Sequence, residues 1–301
     1  MRNSFYITFV SLFAFFLISC HKQQDVPVLP VQNEASQILE DTILPKPDHI
    51  VIVIEENHAF PQIIGSVNAP YINALATGSN AAKFTKSFAV THPSQPNYLD
   101  LFSGSSQGVT DDRNPPNDPF TTPNLGSQLI SAGMSYTTYA ESLPTVGYNE
   151  NTSGAYVRKH NPAANWMGTG VNQIPVTTNQ PFTAFPADYT QLPTVSIVIP
   201  DENDDMHDGT ISTGDAWLQT HLDGYIQWAK THNSLFILTF DEDDDFHHNH
   251  IATIFCGSMV KKGRYTNAIN HYNVLRTIED MYALPYAGNA ANVTSITSCW
   301  K

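Results

Sequence analysis

The chain has 301 residues, 41% of them hydrophobic and 11% aromatic, with 20 prolines, which suits one large domain or two small ones and argues against a disordered chain. Its 14 Lys and Arg stand against 28 Asp and Glu, a formal charge of −14. Gripping a nucleic-acid backbone takes clustered cations, so no nucleic-acid partner is expected.

The N-terminus begins with Arg2, and residues 5–18 are almost wholly apolar. That length matches the core of an export signal and is short for a membrane span. The run ends Leu17-Ile18-Ser19-Cys20, which resembles a bacterial lipoprotein cleavage box. Residues 1–19 are therefore expected to be a signal peptide, with Cys20 carrying a lipid that anchors the protein to a membrane. The alternative is ordinary cleavage near Ser19. Either way the protein is expected to be exported, facing the periplasm or cell surface. Residues 20–46, polar and proline-containing, read as a tether, and 47–301 as one domain. Cys256 and Cys299 could pair in an oxidising compartment, or Cys256 could be a buried free thiol in its apolar run.

From His49 the pattern becomes α/β. Residues 49–54 (HIVIVI) form a continuous apolar run, as expected of a strand covered on both faces. A helix follows over 69–76, a strand over 81–90, and helices over 94–102 and 125–132 stopped by Gly104 and Gly133. A short strand is predicted over 135–140 and a long irregular excursion over 141–192. Buried strands are predicted over 194–199, 235–240 and 250–256, and amphipathic helices over 215–230 and 272–282. Buried strands alternating with helices predict a mostly parallel central sheet sandwiched by helices.

Three of the buried strands end in acids or other metal-compatible residues: Glu55-Glu56-Asn57-His58, the segment 201–208, and the segment 241–245. Parallel strands present their C-terminal ends along one edge, where α/β sheets bind ligands. The clusters should converge, and converging carboxylates need a counter-charge, most simply one or two divalent metal ions. Carboxylate and imidazole ligands suit Zn²⁺, Mn²⁺, Mg²⁺ or Ca²⁺, and the pattern does not choose among them. Ser94 stands at a predicted helix start as an N-cap, where free N–H groups and the helix dipole attract phosphate. A serine hydroxyl is a weak nucleophile unless a base or metal assists it.

These pieces together resemble the phosphoesterase family that includes bacterial acid phosphatases and phosphatidylcholine-type phospholipases C, within the alkaline phosphatase superfamily. The matching segments are VIVIEENHAF (51–60), HPSQPNYLDLFSGS (92–105), YAESLP (139–144), YVRKHNP (156–162), VIPDENDDMHDG (198–209), GDAWL (214–218), LTFDEDD (238–244), NHIATIFCG (249–257) and HYNVLRTIEDMYALP (271–285), in the family's order. The resemblance implies Ser94 as the nucleophile that carries a transient phosphoryl group and also ligates metal. It implies Glu56, Asn57, Asp241 and Glu242 at a first metal, and Asp205, His207 and His271 at a second. His160 and His250, the latter where some relatives carry Arg, would contact phosphate or deliver a proton, and Arg158 would clamp phosphate.

The short C-terminus favours the acid-phosphatase-like branch, a phosphomonoesterase; a phosphodiesterase or phospholipase C is the alternative. The substrate is expected to be a small phosphate ester or a phospholipid, selected by residues 141–192. Sulfatases share the broad fold but require Arg where this chain has Tyr98. A non-catalytic calcium-binding module is the remaining alternative, because Asp201, Asn203 and Asp205 alternate like an EF-hand opening. Met206 and Ser212 break that motif, at positions where it requires Gly and Glu.

Overall fold

The computed structural model describes Met1 and residues 44–301. The expected signal peptide, the lipidated Cys20 and most of the expected tether lie outside the described residues. In chain order the elements are β1 (His49–Glu55), α1 (Phe60–Ile63), α2 (Pro70–Thr77), β2 (Ala81–Phe88), α3 (Ser94–Ser103), α4 (Leu125–Ser131) and β3 (Tyr136–Ala140). The excursion carries β4 (Thr152–Ser153), β5 (Tyr156–Val157) and β6 (Asn179–Pro181) among short 3₁₀ turns. Then come β7 (Val195–Ile199), α5 (Ile211–Ala229), β8 (Ser234–Phe240), β9 (His250–Cys256), β10 (Gly263–Tyr265), β11 (Ile269–Asn270) and α6 (His271–Tyr282).

The main sheet runs β10-β2-β9-β8-β1-β7-β3-β6, with β11 also beside β2. β1 pairs in parallel with both β7 and β8, Ile52 sitting opposite Ile197 and Ile237. Only β9 runs against its neighbours, so the sheet is mixed but mostly parallel. The reversal brings the start of β9 to the edge where β1, β7 and β8 end.

Both faces are buried, which explains why the central strands are apolar at successive positions. Along β1, Ile50, Ile52 and Ile54 enter one core with Leu99, Phe102, Val274 and Ile278 from α3 and α6. Val51 and Val53 enter the other with Ile72, Leu75, Leu218 and Leu222 from α2 and α5. Cys256 lies in the second core and Cys299 in the first, on opposite sides of the sheet, so both are free thiols and do not pair.

Element boundaries follow the sequence expectations with two differences of consequence. Helix α5 begins at Ile211, four residues before the expected start, because Thr210 caps it by accepting from the Thr213 N–H. Ser94 is the first residue of α3, not its cap: Pro93 holds the cap position and no side chain caps the helix. The Ser94 hydroxyl is thereby left for other partners. At its other end α3 stops on Gly104 (φ 68°), where a Cβ would come within 2.1 Å of the Ala287 carbonyl oxygen. Only glycine allows that left-handed turn and that approach.

Candidate active site

The ends of β1 and β8 are joined directly: the Asp241 N–H donates to the Glu55 carbonyl at 3.0 Å. The next residue on the first strand, Glu56, donates its N–H to the Asp205 carbonyl at 2.8 Å, which ties in the loop after β7. Asn57 takes a left-handed conformation (φ 50°), which asparagine tolerates better than most residues, and its N–H reaches Asp241 Oδ1 at 3.1 Å. The three strand ends expected to converge do so.

Ser94 Oγ lies 3.0 Å from Glu56 Oε2, 3.3 Å from Asn57 Oδ1 and 3.3 Å from Glu242 Oε1. One hydroxyl proton can serve only one of these acceptors. Asn97, one helical turn on, fixes the arrangement: its Oδ1 accepts from the N–H groups of Val90 and Thr91, and its amide donates to Glu242 Oε2 at 3.3 Å. Tyr98 donates its hydroxyl to Glu56 Oε1. Turned the other way, the Asn57 amide would donate to Glu56 Oε2 and Glu242 Oε1 at 3.0 and 3.2 Å.

Behind this set stands a histidine pair. His160 is fully buried; its Nδ1 lies 3.0 Å from Asp205 Oδ2, and its Nε2 lies 3.3 Å from Glu56 Oε1 without making a hydrogen bond. The other Asp205 oxygen accepts the His207 N–H at 2.8 Å. Ligand atoms of Glu56, His160 and His207 all lie within 4.8 Å of one another. His271 opens α6 and donates Nε2–H to the Asp241 carbonyl at 2.8 Å.

Burial is the leading cause of every pKa displacement here. It holds the Glu56 carboxyl well above the usual range, helped by Asp241 and Asp205, and raises Asp205 and Asp241. Glu242 is pushed up to about 9 by burial and the neighbouring Asp241. Burial lowers His160 to about 3 and His271 to about 4. Packed carboxyls driven toward neutrality, beside imidazoles driven toward their neutral, ligating form, are the chemistry a divalent cation satisfies. The donor set fits one: Asp241 Oδ2 and His160 Nε2 are buried and unpartnered, and Asp205 on the far nitrogen of His160 leaves Nε2 free to ligate.

The other expected site residues take the following partners in the structure. Asp205, expected as a ligand, has one oxygen on His160 and the other on His207, so it positions both. That bonding also ties the 201–208 loop to the site. His271 supports Asp241 through its backbone, and His160 joins the candidate ligands instead of it. His250 turns Nε2 to the Thr85 carbonyl at 3.0 Å and stacks on Phe60, so it makes no contact in the Ser94 set. Arg158 is 1% exposed and its guanidinium donates to Asn149, Asn165, Asp118 and the Ala164 carbonyl. A buried guanidinium so engaged braces the excursion.

Sequence reasoning passed over other residues. His92 Nδ1 lies 2.9 Å from Glu242 Oε2. Asp112 Oδ1 accepts the N–H of Gln95, the residue after Ser94, at 3.0 Å. Lys159 Nζ lies 3.3 Å from His207 Nε2 and 3.8 Å from Asp112 Oδ2, a cation at the rim of an acidic site. The loop bearing Asp112 also lines a cavity of about 390 Å³ with Gln107, Arg113, Asn117 and Phe120. Tyr98 had a readable signal, since a residue four past Ser94 shares its helix face. Asp112 and Lys159 had none, because the loops that carry them have no periodic pattern.

A helix-borne serine facing acids and imidazoles at the carboxyl edge of an α/β/α sheet defines a hydrolase acting on phosphoric esters. The sequence comparison agrees: the profile of the phosphoesterase family matches residues 68–285, and the chain belongs to that family. It is 48% identical over 264 residues to a phosphatidylinositol-3-phosphatase of Mycobacterium tuberculosis, covering 87% of this chain and 86% of that one. It is 28% identical over 238 residues to an acid phosphatase of Aspergillus fumigatus, covering 73% of this chain and 53% of that one. A solved Vibrio parahaemolyticus protein of the alkaline phosphatase superfamily shares the fold at TM-score 0.58 and 13% identity, over 84% of this chain and 72% of that one.

Proposed function

We propose that the protein is an exported, metal-dependent phosphomonoesterase that works through a phosphoserine on Ser94. The observation that carries this reading is the Ser94 hydroxyl at the first position of α3, within 3.3 Å of Glu56, Asn57 and Glu242. Glu56, Asn57, Asp241, Glu242 and Ser94 would hold one divalent ion, and His160 and His207 with Glu56 a second. Such an ion supplies positive charge that lowers the cost of a serine alkoxide and offsets the phosphoryl oxygens. The ion is zinc, manganese, magnesium or calcium.

Ser94 Oγ attacks phosphorus, its bond to phosphorus forms as the ester P–O bond breaks, and the alcohol departs with a proton. Water then cleaves the phosphoserine, returning the serine proton and releasing phosphate. The Lys159 ammonium at the rim would hold the equatorial oxygens, on which charge is spread in phosphoryl transfer. Asp205 keeps His160 in the tautomer with Nε2 unprotonated.

The relative named a phosphatidylinositol-3-phosphatase supports a phosphomonoester on a lipid headgroup as substrate. A lipid on Cys20 would place the enzyme at a membrane, facing the periplasm or cell surface, where such headgroups lie. The test compares p-nitrophenyl phosphate with bis-p-nitrophenyl phosphate, using metal-reconstituted protein and its Ser94→Ala variant. Monoester turnover lost in the variant is expected. Diester preference would move the reading to the phosphodiesterase and phospholipase C branch. Turnover that survives Ser94→Ala would overturn it.

A further inference from the structure

The segment between α3 and α4 encloses a hollow that no step at Ser94 uses. Its volume of about 390 Å³ falls within the range of about 300–1,000 Å³ that small-molecule sites occupy. Its walls are braced. Gln107 donates Nε2–H to Ser103 Oγ at 2.9 Å and accepts from Thr122 Oγ1 at 2.9 Å, which ties the loop to the end of α3. The Phe120 N–H donates to the Asn165 carbonyl at 2.7 Å, and its ring meets Trp166 edge-on. Asn114 donates to Asn151, and Asp118 accepts from the buried Arg158 guanidinium. A pocket held this way is formed before any ligand arrives.

The hollow adjoins the nucleophile. Gln95, the residue after Ser94, donates its N–H to Asp112 Oδ1 and its Nε2–H to the Arg113 carbonyl, each at 3.0 Å. Asp112 Oδ2 lies 3.8 Å from Lys159 Nζ. Asp112 therefore stands between the neighbour of Ser94 and the rim cation, and the residues on either side of it, Asp111 and Arg113, line the hollow. An ester whose phosphate lies between Ser94 and Lys159 has this loop beside it.

We infer that the 107–120 hollow is the subsite for the alcohol half of the ester, and that it takes a ring polyol, a sugar or cyclitol carrying the phosphate. This rests on the phosphomonoesterase reading of Ser94 and adds what lies beyond the phosphorus. Pro115 and Phe120 are buried in the lining, while Thr110 and Asn117 are exposed on it. Flat apolar surfaces below and a hydroxyl and an amide at the rim suit a hydroxylated ring. Its C–H faces pack on Pro115 and Phe120, and its hydroxyls exchange hydrogen bonds with Thr110 and Asn117. The ring can come free in solution or as the headgroup of a lipid.

The test compares the metal-reconstituted full chain with Thr110→Val, Asn117→Ala and the double variant. Both side chains are exposed, so the core is untouched. Values of kcat/KM are measured on p-nitrophenyl phosphate, on inositol 1,3-bisphosphate, and on phosphatidylinositol 3-phosphate in mixed micelles. In each single variant the inositol substrates should lose about three- to tenfold relative to p-nitrophenyl phosphate, mainly through KM, and more in the double variant. Turnover of both inositol substrates assigns the subsite to the ring itself; turnover of the micellar one alone makes a lipid headgroup its source. The inference is overturned if the ratio is unmoved in the double variant, or if wild type turns over p-nitrophenyl phosphate and neither inositol substrate. Turnover of none of the three would instead sink the reading of Ser94, and this one with it.

Discussion

Replacing Arg158 by alanine separates two uses of one arginine. As a phosphate clamp it would be dispensable for folding, and its loss would appear in KM. In the structure its guanidinium is 1% exposed and bonds Asn149 Oδ1 and Asn165 Oδ1, each at 2.9 Å, the Asp118 carboxylate, and the Ala164 carbonyl. Removing one partner of a buried charge pair costs about 3–5 kcal/mol. The Asp118 side chain is 25% exposed and can recover some hydration, so about 3 kcal/mol is the working figure. For a domain of this size each kcal/mol shifts Tm by roughly 2–4 °C, so Arg158→Ala should melt about 6–12 °C lower. Circular dichroism melts beside steady-state kinetics decide the matter. A large Tm loss with KM changed less than about threefold is expected, because a kcal/mol or less is all an uninvolved residue should move in binding. A Tm near wild type with KM raised tenfold would refute the structural reading and restore the clamp.

Asp205→Asn keeps the size of the side chain but cannot accept from both His160 and the His207 N–H. Losing such a supporting partner should weaken metal affinity about 10–100-fold, read as the metal concentration for half activity. Lys159→Ala removes a charge-assisted donor beside His207 and Asp112; it should raise KM for p-nitrophenyl phosphate about tenfold or more with little change in Tm, and an unchanged KM would sink the assignment. Glu279 is fully buried and its carboxyl is pushed up to about 7, chiefly by burial. A carboxyl whose folded pKa is raised binds its proton more tightly when folded. Its contribution is therefore favourable below the unfolded value and is lost as pH rises toward about 7. Urea unfolding of Glu279→Gln should show a flatter loss of stability between pH 5 and 8 than wild type. Long incubation with EDTA should abolish activity and one of the four candidate ions should restore it, since so few protein cations are present to hold phosphate.

The fold was legible because its strands are buried on both sides. The runs HIVIVI, TVSIVI and LFILTF have few readings other than central strands, and parallel pairing followed from the helices between them. The convergence of acids at one sheet edge followed from the same topology. What the sequence left open was the use made of each polar side chain. Arg158, His250 and Asp205 belong to residue types that bind phosphate or metal, but each is committed to a local partner that lies across the fold or in the irregular excursion. Nothing in a one-dimensional pattern reports that Asp118 will meet Arg158, 40 residues away, or that Thr85 will meet His250 across a strand pair.

The adjacent glutamates show where that limit falls. Glu55 and Glu56 are the same residue type at the end of the same strand, and the family resemblance assigns a role only to the second. Strand alternation requires them to face opposite sides, but which faces Ser94 depends on the register of β1 against β8, where Glu55 is opposite Phe240. That register puts Asp241 beside Glu56 and so builds the Ser94 set on one face, leaving Glu55 on the other, the face of Val51 and Val53. A shift of one residue would exchange them and turn Glu56 away from Ser94. The hydrophobic pattern of β1 therefore does more than make a core: by fixing the register, Ile50, Ile52 and Ile54 decide which glutamate stands beside Ser94.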